Sequence, residues 1–339
     1  MVWTALLCMT VVTACGKQPQ LHHEQLLALG TVVEINLWGV EPELARQASR
    51  EVTDVFNRMH QRWHAWEPGH LMTINRQLQE TGTAPVDPET RRMIRKALAL
   101  SRASQSLFNP GIGDLIALWG FHSDDPPAGP PPAPEAIQAY LGQRVTMDDL
   151  TLTEDHVVST NPALQLDLGG FAKGYAVDAA VERLKTLGIE HAIVNAGGDL
   201  RAIGRRGERP WRVGVRHPRQ TGVMAAIETR GDESIFTSGD YERFFEYQGK
   251  RYHHIIDPRN GYPAAGAASV TVIHKDAATA DAAATALLIA GPDQWQSVAR
   301  AMGIDYVMLV DDNEAVYLTE AMADRIKFTI EPKRVTVIE

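Results

Sequence analysis

Cysteine is almost absent: the 339-residue chain has two, Cys8 and Cys15, both within its first fifteen positions. A disulfide scaffold is therefore excluded for the rest of the chain. Clusters of Lys or Arg are missing as well. With 33 basic residues against 42 acidic ones and a formal charge of -9, no stretch can follow a phosphate backbone, and nucleic acid is excluded as a partner. Val2 to Val12 is apolar and uncharged but stops well short of the about 20 residues a spanning helix needs. What remains is 44% hydrophobic and 22% charged, the composition of a globular protein with ample length for a core. Length alone leaves one or two domains open.

The apolar run has the form of an export signal, although its n-region carries no Lys or Arg. It ends in Val12-Thr13-Ala14-Cys15, which resembles the lipobox of bacterial lipoproteins, where cleavage leaves a lipidated cysteine as the first mature residue. The expectation is a signal peptide over 1–14, lipidation of Cys15 and a polar tether over 15–24. The protein would then sit in the bacterial cell envelope, facing the periplasm and held to the membrane by its lipid anchor.

Beyond the tether, Leu29 to Leu37 alternates as a strand and residues 42 to 62 carry helical spacing. A helix is predicted over Pro88 to Gln105. The segment Asp124 to Pro134 is about half proline and reads as a surface loop, a possible lobe boundary. From Ile137 come a helix, two short strands, and then Leu164 to Asp167 leading through Gly169-Gly170 into a helix over 172–187. Later strands are predicted at 192–195, 211–216, 224–229, 234–237, 251–256, 269–274, 306–310 and 315–318. Short turns between consecutive strands, with helices interspersed, indicate an α+β class with mixed, largely antiparallel sheets. No solenoid repeat is present.

Four segments can carry chemistry. Asp167-Leu168-Gly169-Gly170-Phe171-Ala172-Lys173 sets two glycines where a helix begins, and free N–H groups there suit an anion such as phosphate. An ordinary glycine turn with a solvated lysine is the equal alternative. Asn195-Ala196-Gly197-Gly198-Asp199 is a second double-glycine turn, whose plain reading is a hairpin. Asp281 and Thr285 lie one helical turn apart, separated by alanines. Carboxylate and hydroxyl are hard oxygen donors suited to magnesium, but on these residues alone an acid near a helix start and a back-bonded threonine are the favoured explanation of the pair. His253-His254, at the end of a strand, offers a general base. Adjacent strand residues point to opposite faces, so a shared zinc site is excluded. Arg243 can meet a phosphate or a structural carboxylate.

Together with Gly30-Thr31, Phe108-Asn109-Pro110, Leu118-Trp119-Gly120-Phe121 and Ser238-Gly239-Asp240-Tyr241-Glu242-Arg243, these segments resemble, in order, the ApbE family of FAD:protein FMN transferases. The resemblance implies a single large T-fold-related domain over 25–335. It implies magnesium bound by Asp281, Thr285 and a backbone carbonyl near Gly170. FAD, the substrate, would be contacted by Leu29, Trp66, Asn109, Pro110, Gly111, Asp167, Lys173 and Ile256, with His254 as base. Leu29 stands where the family usually has methionine, and Asn109 where aspartate is usual. The implied reaction moves FMN from FAD to a threonine or serine hydroxyl of an acceptor flavoprotein subunit and releases AMP. The same residues would also serve a magnesium-dependent FAD pyrophosphatase, a non-catalytic flavin-binding lipoprotein or, more remotely, a structural envelope lipoprotein.

Overall fold

The computed structural model describes residues 20–123, 125 and 127–338; the signal peptide, Cys15 and the first part of the tether lie outside them. The frame is a nine-stranded sheet whose spatial order is Leu21–Ala28, Thr31–Trp38, Ala192–Ala196, Asp199–Ile203, Glu233–Gly239, Ala267–His274, Tyr306–Asp311, Ala315–Thr319 and Arg334–Ile338. Every pairing is antiparallel except the last. Side-chain alternation gives each face its own core. Along Glu233–Gly239, Phe236 joins the helical core while Ile235 joins a second cluster beneath a three-stranded sheet of Arg212–Arg216, Val223–Glu228 and Ile326–Phe328. The central strand Ala267–His274 is buried on both faces, as its run Ala-Ala-Ser-Val-Thr-Val-Ile requires.

Three long helices cover the helical face. Pro42–Trp63 has proline in its first turn and buries Ala45, Ala48, Val52, Val55, Phe56, Met59 and Trp63 at helical spacing. Gly169–Thr186, hereafter the glycine helix, packs on Ala277–Met302, the alanine helix, which is broken at Gly291, where φ is 65°, just before Pro292. Their contact is unusually close because Gly174 has no side chain. A Cβ there would lie 2.8 Å from the Ala278 Cα and closer still to the Ala277 carbonyl, so even alanine would push the helices apart. Asp178 of the glycine helix ties the pair further, accepting from the Ala277 and Ala278 N–H groups at 2.9 and 3.0 Å, unpaired donors at the start of the alanine helix.

Four features depart from the sequence reading. Residues 21–24, assigned above to the tether, belong to the edge strand Leu21–Ala28, which pairs along its whole length with Thr31–Trp38. Leu29 and Gly30 are not strand residues but the two-residue turn between them, with φ of 51° and 70°. A buried-face helix at His70–Thr81 also went unpredicted. The described part of 124–134 is irregular and largely exposed, yet it divides no lobes, since one core cluster runs from Ala28 to Leu309. Among the described residues no helix is long and apolar enough to cross a membrane.

Candidate functional site

A cavity of about 60 Å³ opens where the N-terminal end of the glycine helix, the alanine helix and the end of the Glu233–Gly239 strand converge. Its wall carries Gly169, Gly170, Lys173, Asp199, Ser238, His254, Ile255, Asp281 and Thr285 among others. Five residues singled out above, namely Gly170, Lys173, His254, Asp281 and Thr285, therefore share one cavity although they span more than a hundred positions of sequence.

Asp281 is 5% exposed and accepts one hydrogen bond, from the Gly174 N–H to Oδ2 at 2.9 Å. That N–H is the group a regular helix would direct at the Gly170 carbonyl. Burial pushes the Asp281 carboxyl up to about 7; Lys173 and the Gly174 N–H pull it down, while Asp199 pushes it further up. One turn on, Thr285 Oγ1 meets Ser238 Oγ at 3.2 Å. A Cβ on Gly170 would stand 3.9 Å from Thr285 Oγ1. A carboxylate, a hydroxyl and a nearby carbonyl form a hard-oxygen donor set. With Asp199 and Asp281 both ionised against the single charge of Lys173, the trio carries a net negative charge, which a divalent cation fits.

Lys173 is not a free surface lysine, although its side chain is about a third exposed. It forms an ion pair with Asp199, itself 4% exposed, whose other oxygen accepts from the Thr237 N–H at 2.9 Å. Burial disfavours the ammonium, but Asp199 and then Asp281 outweigh it, so the lysine stays charged. Asp199 was hidden in the sequence by the hairpin reading of its turn. That hairpin is present, with Gly197 and Gly198 at φ of 70° and 102°, and it delivers Asp199 to the cavity as the first residue of the returning strand.

His254 lies just past the strand Lys250–His253. Its Nδ1 lies 3.2 Å from the Arg243 carbonyl, which can only accept, so Nδ1 carries the proton and Nε2 keeps its lone pair. Burial, with the neighbouring His253 and Arg243 adding to it, pulls the ring down to about 3. The imidazole is thus neutral at physiological pH, and its titration does not fall near 6.5. His253 faces the other way, Nε2 donating to the Ala264 carbonyl at 2.8 Å, and is 5% exposed. The two rings bond to different carbonyls, those of Ala264 and Arg243.

The remaining expected contacts are not on the wall of this cavity. Asp167 accepts from the Gly169 N–H at 2.8 Å and pairs with His122 Nε2 at 2.9 Å. Burial works against its charge, but His122 above all, then Gly169 and Arg243, hold the carboxyl below its usual range. Trp66 stacks on His122 at 5.4 Å between centroids, with the Arg243 guanidinium 5.5 Å from its ring centre. Arg243 donates to the Phe121 and Ser123 carbonyls, meeting neither of the partners expected above in these bonds. The Pro110 and Gly111 carbonyls accept from Asp167 and Gln165, which laces that loop to the segment before the glycine helix. Asn109 spends both ends of its amide internally, on the Val145 carbonyl and the Gly111 N–H at 3.0 Å each. An aspartate could not make the first bond. Ile256 is core, bridging Pro263, and its neighbour Ile255 lines the cavity instead. Leu29 sits in the edge turn, packed partly against the core. Asn75, which no sequence signal marked, brackets Leu166 with bonds of 2.8 and 2.9 Å and fixes the approach to Gly169.

Comparison with known proteins gives a consistent result. The family model described as the ApbE family matches residues 29–308. A FAD:protein FMN transferase of Rhodobacter capsulatus is 39% identical over 325 residues, covering 93% of this chain; the chain spans 61% of that protein's length. A Vibrio cholerae protein of the same name is 31% identical, with 91% of this chain and 93% of that protein covered. The crystal structure of an ApbE protein from Thermotoga maritima superposes with a TM-score of 0.82 at 32% identity, covering 90% of this chain and 99% of that one.

Proposed function

The chain belongs to the ApbE family, and from that premise we infer that it is a transferase that moves FMN from FAD to an acceptor protein. The observation that carries the reading to this molecule is the meeting of Lys173, His254, Asp281 and Thr285 around one cavity at a glycine-rich helix start. The acceptor is a threonine or serine hydroxyl. Its oxygen forms a bond to the FMN phosphorus of FAD as the bond from that phosphorus to the AMP oxygen breaks, and AMP leaves with the electron pair. The hydroxyl proton passes to His254 Nε2, kept available by the Nδ1 contact with Arg243. The low basicity of the empty ring rises as the pyrophosphate brings negative charge beside it.

Lys173, fixed by Asp199, adds a positive charge at the helix start, where the helix dipole already favours phosphate. Magnesium is the metal this reading places with Asp281, Thr285 and the Gly170 carbonyl. When bound it offsets the charge that the pyrophosphate concentrates in the reaction. Trp66, Asn109 to Gly111 and Asp167 flank the site as the flavin and nucleotide contacts. Flavin is cargo.

The test mixes purified protein with FAD, magnesium and candidate acceptors, and reads flavin fluorescence on the denatured acceptor alongside AMP release. Equal amounts of the two support the reading. AMP and free FMN without labelled protein would make the chain a pyrophosphatase, and neither product would remove the catalytic role. We also propose that Cys15 anchors the protein by lipid in the bacterial envelope, facing the periplasm. Its support is the Val12-Thr13-Ala14-Cys15 sequence, and a Cys15→Ser variant that stays with membranes would end it.

A further inference from the structure

A second group of ligands lies outside the cavity, where the helix Pro42–Trp63 ends. His60 is in its last turn and His64 is its C-cap, one helical turn further on. After His64 the chain leaves the helix, with ψ of 129°, and turns Glu67 back toward the two rings. One ligand atom from each of the three residues falls within 4.8 Å of the other two. The rings meet edge to face with centroids 5.1 Å apart, and His64 Nε2 is 3.9 Å from the Glu67 carboxylate. His60 Nδ1 is shielded from solvent and has no hydrogen-bond partner among the described residues.

We propose that His60, His64 and Glu67 form a binding site for a divalent transition ion, zinc in the first instance, separate from the oxygen-lined cavity. Two imidazoles one helical turn apart, joined by a carboxylate, supply the mixed nitrogen and oxygen ligands that zinc prefers over magnesium. Three protein ligands leave a fourth tetrahedral position for water or an exogenous ligand. The distances need only a modest closing movement, and Glu67, about half exposed, is free to make it. In the empty site the Glu67 N–H donates to His64 Nδ1 at 3.2 Å, which puts the ring proton on Nε2. Metal binding at Nε2 shifts that proton to Nδ1 and gives up this one long bond, with no net proton released by the ring.

The site has a defined reach. The segment it would pin to the helix carries Trp66, whose ring lies 4.4 Å from His64 on one side and 5.4 Å from His122 on the other. Zinc would therefore fix the tryptophan that stacks beside Asp167. The inference does not depend on the reading of the cavity, since it concerns binding alone.

The test is zinc binding to the full chain by equilibrium dialysis and calorimetry, in saturating magnesium. One zinc per chain is expected, with altered tryptophan emission that is absent in Trp66→Phe. His60→Gln and His64→Gln should each weaken binding by about 10²-fold or more, since loss of even an outer-shell partner costs 10- to 100-fold. Glu67→Gln, at an exposed position that leaves the fold intact, should weaken it by about tenfold. Unchanged affinity in all three variants, or zinc fully displaced by magnesium, would overturn the site and leave a loose histidine–glutamate contact only.

Discussion

Two concavities of this molecule treat charge in opposite ways. The larger, about 660 Å³, lies beside the small three-stranded sheet and is lined by His191, Arg205, Arg230, Arg325 and Lys327 with Glu228 and Asp324. Its central charge is already answered: Arg325, with its side chain 2% exposed, holds Glu233 at 2.6 Å and the Glu228 carbonyl at 3.0 Å. Lys327 reaches Glu228 at 3.3 Å. The smaller cavity is about a tenth of that size, and there two carboxylates share one lysine, an acid is held near neutrality and a histidine is kept unprotonated. Volume points to one and chemistry to the other. Groups held away from their ordinary protonation behaviour mark the site at which binding a cation and an anion brings relief.

If that contrast is right, substitutions in the small cavity should cost activity without stability, and those in the large one the reverse. The largest effect is expected from Asp281→Asn, with transfer falling to background. In magnesium-free buffer at pH 8 the variant should melt no lower than the parent, because it removes a buried charge. The sign follows from a folded-state value of about 7, above the ordinary 3.8: the native carboxyl holds its proton more tightly, so stability declines as pH rises from 4 through 7. A large drop in melting temperature would place Asp281 in the framework instead.

His254→Asn comes next, with turnover lowered by about 10²–10⁴-fold while FAD still binds. Because the free ring titrates near 3, the acid limb of kcat/KM belongs to Asp281, with a midpoint near 7, and should be the same in this variant. A limb that disappears with His254 would reverse the assignment. His253, buried and bonded to Ala264, makes a poor control; a surface histidine such as His156 is better.

In the large pocket, Arg325→Ala should cost about 3–5 kcal/mol by leaving Glu233 buried and unpaired, with kcat unchanged for the folded fraction. Denaturant unfolding and initial rates separate the two readings. The smallest effect is expected from Thr285→Ala, where water can replace a neutral ligand. A rise of about tenfold or less in the magnesium needed for half-maximal rate would fit, and complete inactivity would not.

Much of this site was legible in the sequence because its elements announce themselves locally. Gly169-Gly170 precedes a helix, and Asp281 and Thr285 are spaced by one turn, so their faces followed from period alone. What pairing decides was not legible. Asp199 looks like any acid after Gly-Gly until its strand lies beside Glu233–Gly239 and its carboxylate finds Lys173 and the Thr237 N–H. Leu21–Ala28 begins Leu-His-His-Glu-Gln, polar because an edge strand is half solvated, and so it resembled a tether. Ile256 came from the resemblance alone, and that Ile255 rather than Ile256 lines the cavity could not be read from period, because the chain leaves strand geometry after His253. Asn109 departs from the residue usual in the family, and its reason, an amide bonded at both ends, exists only in three dimensions.

The missing side chain at Gly174 makes the floor of the cleft an anvil. With backbone laid directly on backbone between the glycine and alanine helices, there is no layer of side chains to slide or compress, and an acceptor of different shape cannot be accommodated by parting them. In the proposed reaction, adjustment to new acceptors falls to the hairpin of Phe244–Tyr247 and Lys250–His253, which leads into His254 on the cavity wall. Diversification of acceptor choice should therefore be written there, while the floor tolerates almost no rewriting at all.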